Sequence, residues 1–184
     1  VYNWSGSNWI QMGQDIVAES VGDRFGFQTE LNSLGNALIV GGYYNDDNGV
    51  WSGHVRVFDW NGSNWIQRGN DIDGEAANDV FGHTVRISQD GNTIAAGAHW
   101  NDGNGNEAGH VRVYDWNGSN WIQRGSDIDG NNAGDRSGVM IGMSSDGNLL
   151  AIGAYFNDDA GNNSGEVKCY QWSGSSWVQK GSDI

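Results

Sequence analysis

The chain repeats itself every 56 residues without a slip in register. Trp4, Trp60, Trp116 and Trp172 hold one position of the repeat, and Trp9, Trp65, Trp121 and Trp177 hold another. Gly22-Asp23, Asn78-Asp79 and Gly134-Asp135 share a third, and Gly26, Gly82 and Gly138 a fourth. A fixed period of this size marks an architecture in which each unit buries its apolar surface only against its neighbours, as in propellers and solenoids. It divides the chain into an opening segment (1–24), two whole repeats (25–80 and 81–136) and a third (137–184).

Read in order, one repeat carries four strand signals. In the unit that Phe81-Gly82 opens, His83 to Ser88 alternates with Val85 and Ile87 on one side. Asp90-Gly91-Asn92 is a tight turn, and Thr93 to Ala98 is a strand of small residues. A polar loop, His99 to Ala108, leads to a third strand, Gly109 to Trp116. Asn117-Gly118 turns the chain into a fourth, Asn120 to Arg124, and residues 127–136 loop on to the next unit. Four short antiparallel strands per unit describe a propeller blade, so the expected fold is all-β, about three and a half blades. The rival, a β-solenoid, usually repeats at a shorter period and needs no pair of hairpins per unit. Strand two, with Val40-Gly41-Gly42, Ala96-Gly97-Ala98 and Ile152-Gly153-Ala154, suits a crowded inner position. The Trp-bearing strands three and four suit the wider outer part.

The paired motifs Phe25-Gly26 with Val40-Gly41-Gly42, Phe81-Gly82 with Ala96-Gly97-Ala98, and Ser137-Gly138 with Ile152-Gly153-Ala154 resemble FG-GAP repeats, the units of integrin-type β-propellers. The resemblance spans nearly the whole chain and implies the propeller fold. Two departures stand out. Tyr43, His99 and Tyr155 replace the proline of the motif, and Ser137 replaces a phenylalanine. The turns Leu34-Gly35-Asn36, Asp90-Gly91-Asn92 and Asp146-Gly147-Asn148 are also too short for the calcium loop the family often carries between its first two strands, so the usual calcium sites do not carry over.

In such a blade the loops after strands two and four emerge on one face, and here both are long and acidic. The first set supplies the candidate ligand-binding residues Asp46, Asp47, Asp102, Glu107, Asp158 and Asp159. The second supplies the candidate metal ligands Asp71, Asp73, Asp79, Asp127, Asp129 and Asp135, hard oxygens beside glycine turns. Two readings stay open for these carboxylates, capping of loop amides and binding of Ca2+. Arg56, Arg112 and Lys168 are equivalent, as are Arg68, Arg124 and Lys180; stacking on Trp or pairing with Asp across blades is expected of them. His54 and His110 correspond to Glu166, and no two of the four histidines share a ligand-like spacing. The four sequons at Asn3, Asn61, Asn117 and Asn162 are candidate glycosylation sites in a secreted chain.

Composition narrows the function classes. A net charge of −14 argues against a nucleic-acid partner. Cys169 occupies the position of Val57 and Val113 and reads as a small apolar residue, with no disulfide framework. No apolar run is long enough to enter a membrane. No nucleophile elbow, zinc-protease or phosphate-loop motif occurs, and near-identical units argue against a singular active site, so no enzyme is expected. The expected role is an extracellular or cell-surface binding or adhesion module with a protein or glycan ligand on the acidic face. The alternatives are a building block of a surface layer or filament, and a propeller appended to a hydrolase or lyase. Three and a half blades fall short of a closed ring, so further blades in the same chain, or other copies, are the expected partners.

Overall fold

The computed structural model describes residues 1–184. The chain forms a short hairpin followed by three antiparallel sheets stacked in sequence order. The hairpin consists of β1 (Tyr2–Trp4) and β2 (Trp9–Gln11). The first full blade holds β3 (Gln28–Leu31), β4 (Ala37–Gly42), β5 (His54–Trp60), β6 (Trp65–Gln67) and β7 (Ile72–Asp73). The second holds β8 (Thr84–Ile87), β9 (Thr93–Ala98), β10 (His110–Trp116), β11 (Trp121–Gln123) and β12 (Ile128–Asp129). The third holds β13 (Met140–Met143), β14 (Leu149–Ala154), β15 (Glu166–Trp172) and β16 (Trp177–Gln179). Each blade is an up-and-down meander, and the first strands β3, β8 and β13 crowd together along the inner edge. The architecture is that of propeller blades, with β1–β2 standing where the outer pair of a preceding blade would lie.

One feature differs from the sequence reading. The stretch after the fourth strand is not all loop: β7 and β12 return to the third strand, pairing Val55 with Ile72 and Val111 with Ile128. The fourth strand is therefore split. Its first part pairs with the Trp end of β5 or β10 and its second with the His end, separated by an excursion through Gly69 or Gly125. In the third blade the backbone of Ile184 makes the equivalent two hydrogen bonds to Val167.

Where a blade is covered on both sides, both faces of its second strand are buried, as in β4 and β9, whereas β14 at the end of the stack is buried at alternate positions only. One core joins Ile39, Val55 and Val57 of the first blade to Phe81, Val85, Ile94 and Ala96 of the second. Another joins Val111 and Val113 to Ile141, Leu150 and Ile152. The glycines of the paired motifs explain the spacing between blades. The amide of Gly82 donates to the carbonyl of Gly97 in its own blade, while the carbonyl of Gly82 lies where a Cβ on Gly41 of the preceding blade would be. The same relation joins Gly138 to Gly153 and to Gly97. A side chain at the second-strand glycine would force the sheets apart. At the outer rim, the indole Nε1 of Trp65, Trp121 and Trp177 donates to the carbonyls of Met12, Arg68 and Arg124 in the preceding unit. Arg68 lies over Trp116 and Trp121 of the next blade and Arg124 over Trp172 and Trp177, the stacking expected for these cations, while the Asp59 that pairs with Arg68 lies in its own blade and not across the interface.

Candidate functional site

The two sets of long loops do share one face, and they are tied to each other. Asn48 Nδ2 donates to the carbonyls of Gly74 and Glu75, and Asn104 Nδ2 donates to that of Gly130. Asn101 Nδ2 donates to both Glu75 and Asp79. The loops after strand two are thus held against the segments that link the blades, Asn48 and Asn104 to the segment that follows their own blade and Asn101 to the one that precedes it.

Within this face the predicted residues separate by role. Asp46, Asp102 and Asp158 accept the backbone amides of Trp51, Glu107 and Asn163, closing the same turn three times. Those amide donors sit at positive φ (55°, 51° and 51°), a conformation costly for side chains other than glycine, and the Asp cap compensates for it. Glu107 forms an ion pair with Arg136, itself stacked over Trp100 and Phe156. Asp79 and Asp135 are buried and take amide hydrogens from Asn101 and Asn157. Burial raises the pKa of Asp79, the Asn101 hydrogen bond working against it. Asn101 joins Asp79 to Glu75, but neither Asp79 nor Asp135 belongs to the clusters of carboxylates and histidine described next, so the six candidate metal ligands do not form a single set.

The structure does gather a different constellation, and gathers it three times. Glu19, Asp47, His54 and Asp71 converge in the first blade; Glu75, His110 and Asp127 in the second; Asp159, Glu166 and Asp183 in the third. In each group the donor atoms lie within 4.8 Å of one another. The groups occupy corresponding positions of the 56-residue repeat, with Gly103 where Asp47 and Asp159 stand, and Asn131 in place of Glu75. Strand pairing builds them: His54 lies opposite Asp73 and His110 opposite Asp129, which places histidine and carboxylates on one side of the sheet. A cation from two residues along the third strand completes each group. Arg56 Nε is 3.3 Å from Asp71, Arg112 joins Glu75 and Asp127, and Lys168 Nζ is 2.7 Å from Glu166.

The electrostatics follow from this packing. Burial works to raise Asp127 and Glu75, but hydrogen bonds from Arg112 outweigh it and both carboxyls end below their ordinary values. Asp73 and Asp129 move the other way, raised by burial and then by the neighbouring Asp71 and Asp127. Burial pushes His110 down to about 4, so it is neutral at neutral pH, and its Nδ1 contacts with Asp127 (3.7 Å) and Glu75 (3.9 Å) are not ion pairs.

Sequence reasoning missed this grouping because it sought ligands at short spacing along the chain, whereas these come from three separate segments. The usable signal was the repeat register: His54, His110 and Glu166 share a position, as do Asp71, Asp127 and Asp183. His83 and His99 also meet, their ring centroids 4.3 Å apart. The sequon side chains Asn3, Asn61, Asn117 and Asn162 are all exposed, and Asn61 and Asn117 accept turn amides through Oδ1.

Residues 72–114 match the FG-GAP repeat. The chain carries an FG-GAP repeat. The match runs from the fourth strand of one blade through the third strand of the next, and the period places the same motif in its neighbours. No curated protein sequence matches the chain. Among solved structures, a putative 6-phosphogluconolactonase from Bacteroides uniformis is similar with a TM-score of 0.53 at 13% identity, over 83% of this chain and 39% of that one. A structure described as the eukaryotic initiation factor gives 0.51 at 13% identity, over 86% of this chain and 33% of that one. The β-propeller domain of the Trilobed protease from Pyrococcus furiosus gives 0.43 at 14% identity, over 80% of this chain and 38% of that one. The chain therefore spans between a third and two fifths of the length of these structures, and at such identities the likeness to the first two concerns the fold alone. No helix is long and apolar enough to cross a membrane.

Proposed function

We propose that the chain is part of an extracellular binding or adhesion propeller that presents its long-loop face to a protein or glycan. The observation that carries this reading is the construction of that face. Three times over, long loops are closed by an Asp cap, and in the first two blades Asn48 and Asn104 tie the loop across to the neighbouring segment, while the opposite face has only tight turns. A rigid scaffold holding repeated polar loops favours multivalent contact with a repeating ligand. The FG-GAP match and the exposed sequons fit a secreted setting.

The test is binding to an array of glycans and extracellular-matrix proteins. It compares the wild type with a triple variant, Asp46→Asn, Asp102→Asn and Asp158→Asn, which keeps a carbonyl acceptor for each turn and removes three charges. A hit that weakens at least tenfold in the variant is expected. An array with no hit, or hits indifferent to the variant, would contradict the reading.

A structural role in a layer or filament is the second reading. It is favoured by apolar surface at both ends of the stack, including Leu31 at one end and Met140 and Val167 at the other. Negative-stain micrographs showing ordered linear assemblies would select it.

A further inference from the structure

We infer that Glu19, Asp47, His54 and Asp71 form a binding site for a divalent cation of the zinc class, on the long-loop face of the first full blade. This goes beyond the binding role proposed above and is independent of it. Two observations meet here. The first is a convergence of three carboxylates and one imidazole whose donor atoms all fall within 4.8 Å of one another. The second is His54 itself: it is fully buried, neither ring nitrogen has a hydrogen-bond partner, and Nδ1 faces the Asp71 carboxylate at 3.5 Å. A buried polar atom without a partner is costly, and its neighbours should explain it.

The distance argues for a cation between the groups. At 3.5 Å the nitrogen and oxygen are too far apart for a good hydrogen bond. Zinc bonds of roughly 2.0–2.2 Å put two tetrahedral ligand atoms about 3.3–3.6 Å apart. The pair is therefore spaced as adjacent ligands are. Arg56 does not occupy the same position. Its Nε approaches Asp71 Oδ1 at 3.3 Å, and the opposite oxygen, Oδ2, faces His54. Its Nη2 lies 3.4 Å from Glu19 and 2.5 Å from Gln67. Arginine thus holds the carboxylates from outside, as supporting groups around a metal do.

Charge and ligand type point the same way. Three carboxylates against one guanidinium leave a formal local charge of −2, which one divalent cation would neutralise. A mixed imidazole and carboxylate set suits zinc better than the all-oxygen shells that calcium takes. The second blade keeps His110, Glu75 and Asp127 but has Gly103 where Asp47 would be, so it offers one carboxylate fewer and a weaker site.

Zinc chloride titrated calorimetrically into the 184-residue chain in a non-chelating buffer tests this. Saturable binding is expected, with affinity at the tightest site falling at least tenfold in both His54→Gln and Asp71→Asn and unchanged in His83→Gln. Asp71→Asn sits at the rim, so it reports even if His54→Gln fails to fold. No saturable heat at millimolar zinc would overturn the proposal. So would binding that survives Asp71→Asn, or that disappears in His83→Gln, which would place the ion at the His83–His99 pair instead.

Discussion

At the scale of single residues, equivalent positions behave differently according to what lies beside them. A Cβ on Gly97 would run into the carbonyl of Gly138, whereas one on Gly153 would meet only ordinary contacts with Met140. Gly97→Ala should therefore lower stability by about 3 kcal/mol, and Gly153→Ala by well under half of that, read from urea unfolding of the two variants. Equal effects would mean that the blades are not spaced by these glycines. His99 offers a second test. Burial, with His83 and Arg136 nearby, pushes its pKa down to about 3, while in the unfolded chain it titrates near 6.5. Between those values the unfolded state binds the extra proton, so the stability attached to a neutral His99 is complete above pH 6.5 and is lost as pH falls toward 3. By pH 5 that loss is on the order of 2 kcal/mol. The corresponding residues are Tyr43 and Tyr155, so His99→Tyr suits the site and should flatten the decline of Tm between pH 7 and 5. An unchanged slope would show that His99 is solvated.

At the scale of strands and loops, the blade order, both hairpin turns and the long-loop face were legible, because alternation and Asn-Gly or Asp-Gly turns are local signals. The split fourth strand was not. Ile72-Asp73 and Ile128-Asp129 are too short to show a period, and they become strands only because Val55 and Val111 present free backbone groups beside them. The clustering of His54 with Asp71 was hidden for the same reason, since it depends on that return. The aspartates of the loops were legible as a type but not as a role: Asp46 caps a turn while its neighbour Asp47 joins the cluster, a difference set by the direction of each side chain. Tryptophan illustrates how packing overrides identity. Trp65 is 2% exposed and tied to Met12, whereas Trp9 at the corresponding position is 67% exposed. Trp65→Ala should cost about 3–5 kcal/mol and Trp9→Ala less than about 1 kcal/mol in the same chemical denaturation assay. A comparable loss at both would place a partner over Trp9.

At the scale of the whole molecule, each blade covers the apolar face of the one before it, and the two ends of the stack are left uncovered. At one end a cleft of about 640 Å³ is lined by Val1, Ile16, Phe25, Leu31, Leu38 and Val40. At the other, Met140 is 61% exposed and Val167 37%. Surfaces of this kind seldom stay in water in a soluble chain. The internal interfaces show what would fit them, because β8 presents to β3 the same kind of face that β13 presents to β8. Any added blade, from the same polypeptide or from another copy, would meet the end faces by the same geometry. Two copies joined this way contact each other head to tail, and such a contact continues until a ring closes or a filament grows. Light scattering on the 184 residues alone should then report a mass above 19.9 kDa that rises with concentration. Leu31→Lys with Met140→Lys places a charge on each end face while leaving the inter-blade cores intact, and should shift the population to monomer without lowering Tm by more than a few degrees. A wild-type chain that stays at 19.9 kDa and melts cooperatively would refute the head-to-tail model, because both end faces would then be stable in water without a partner.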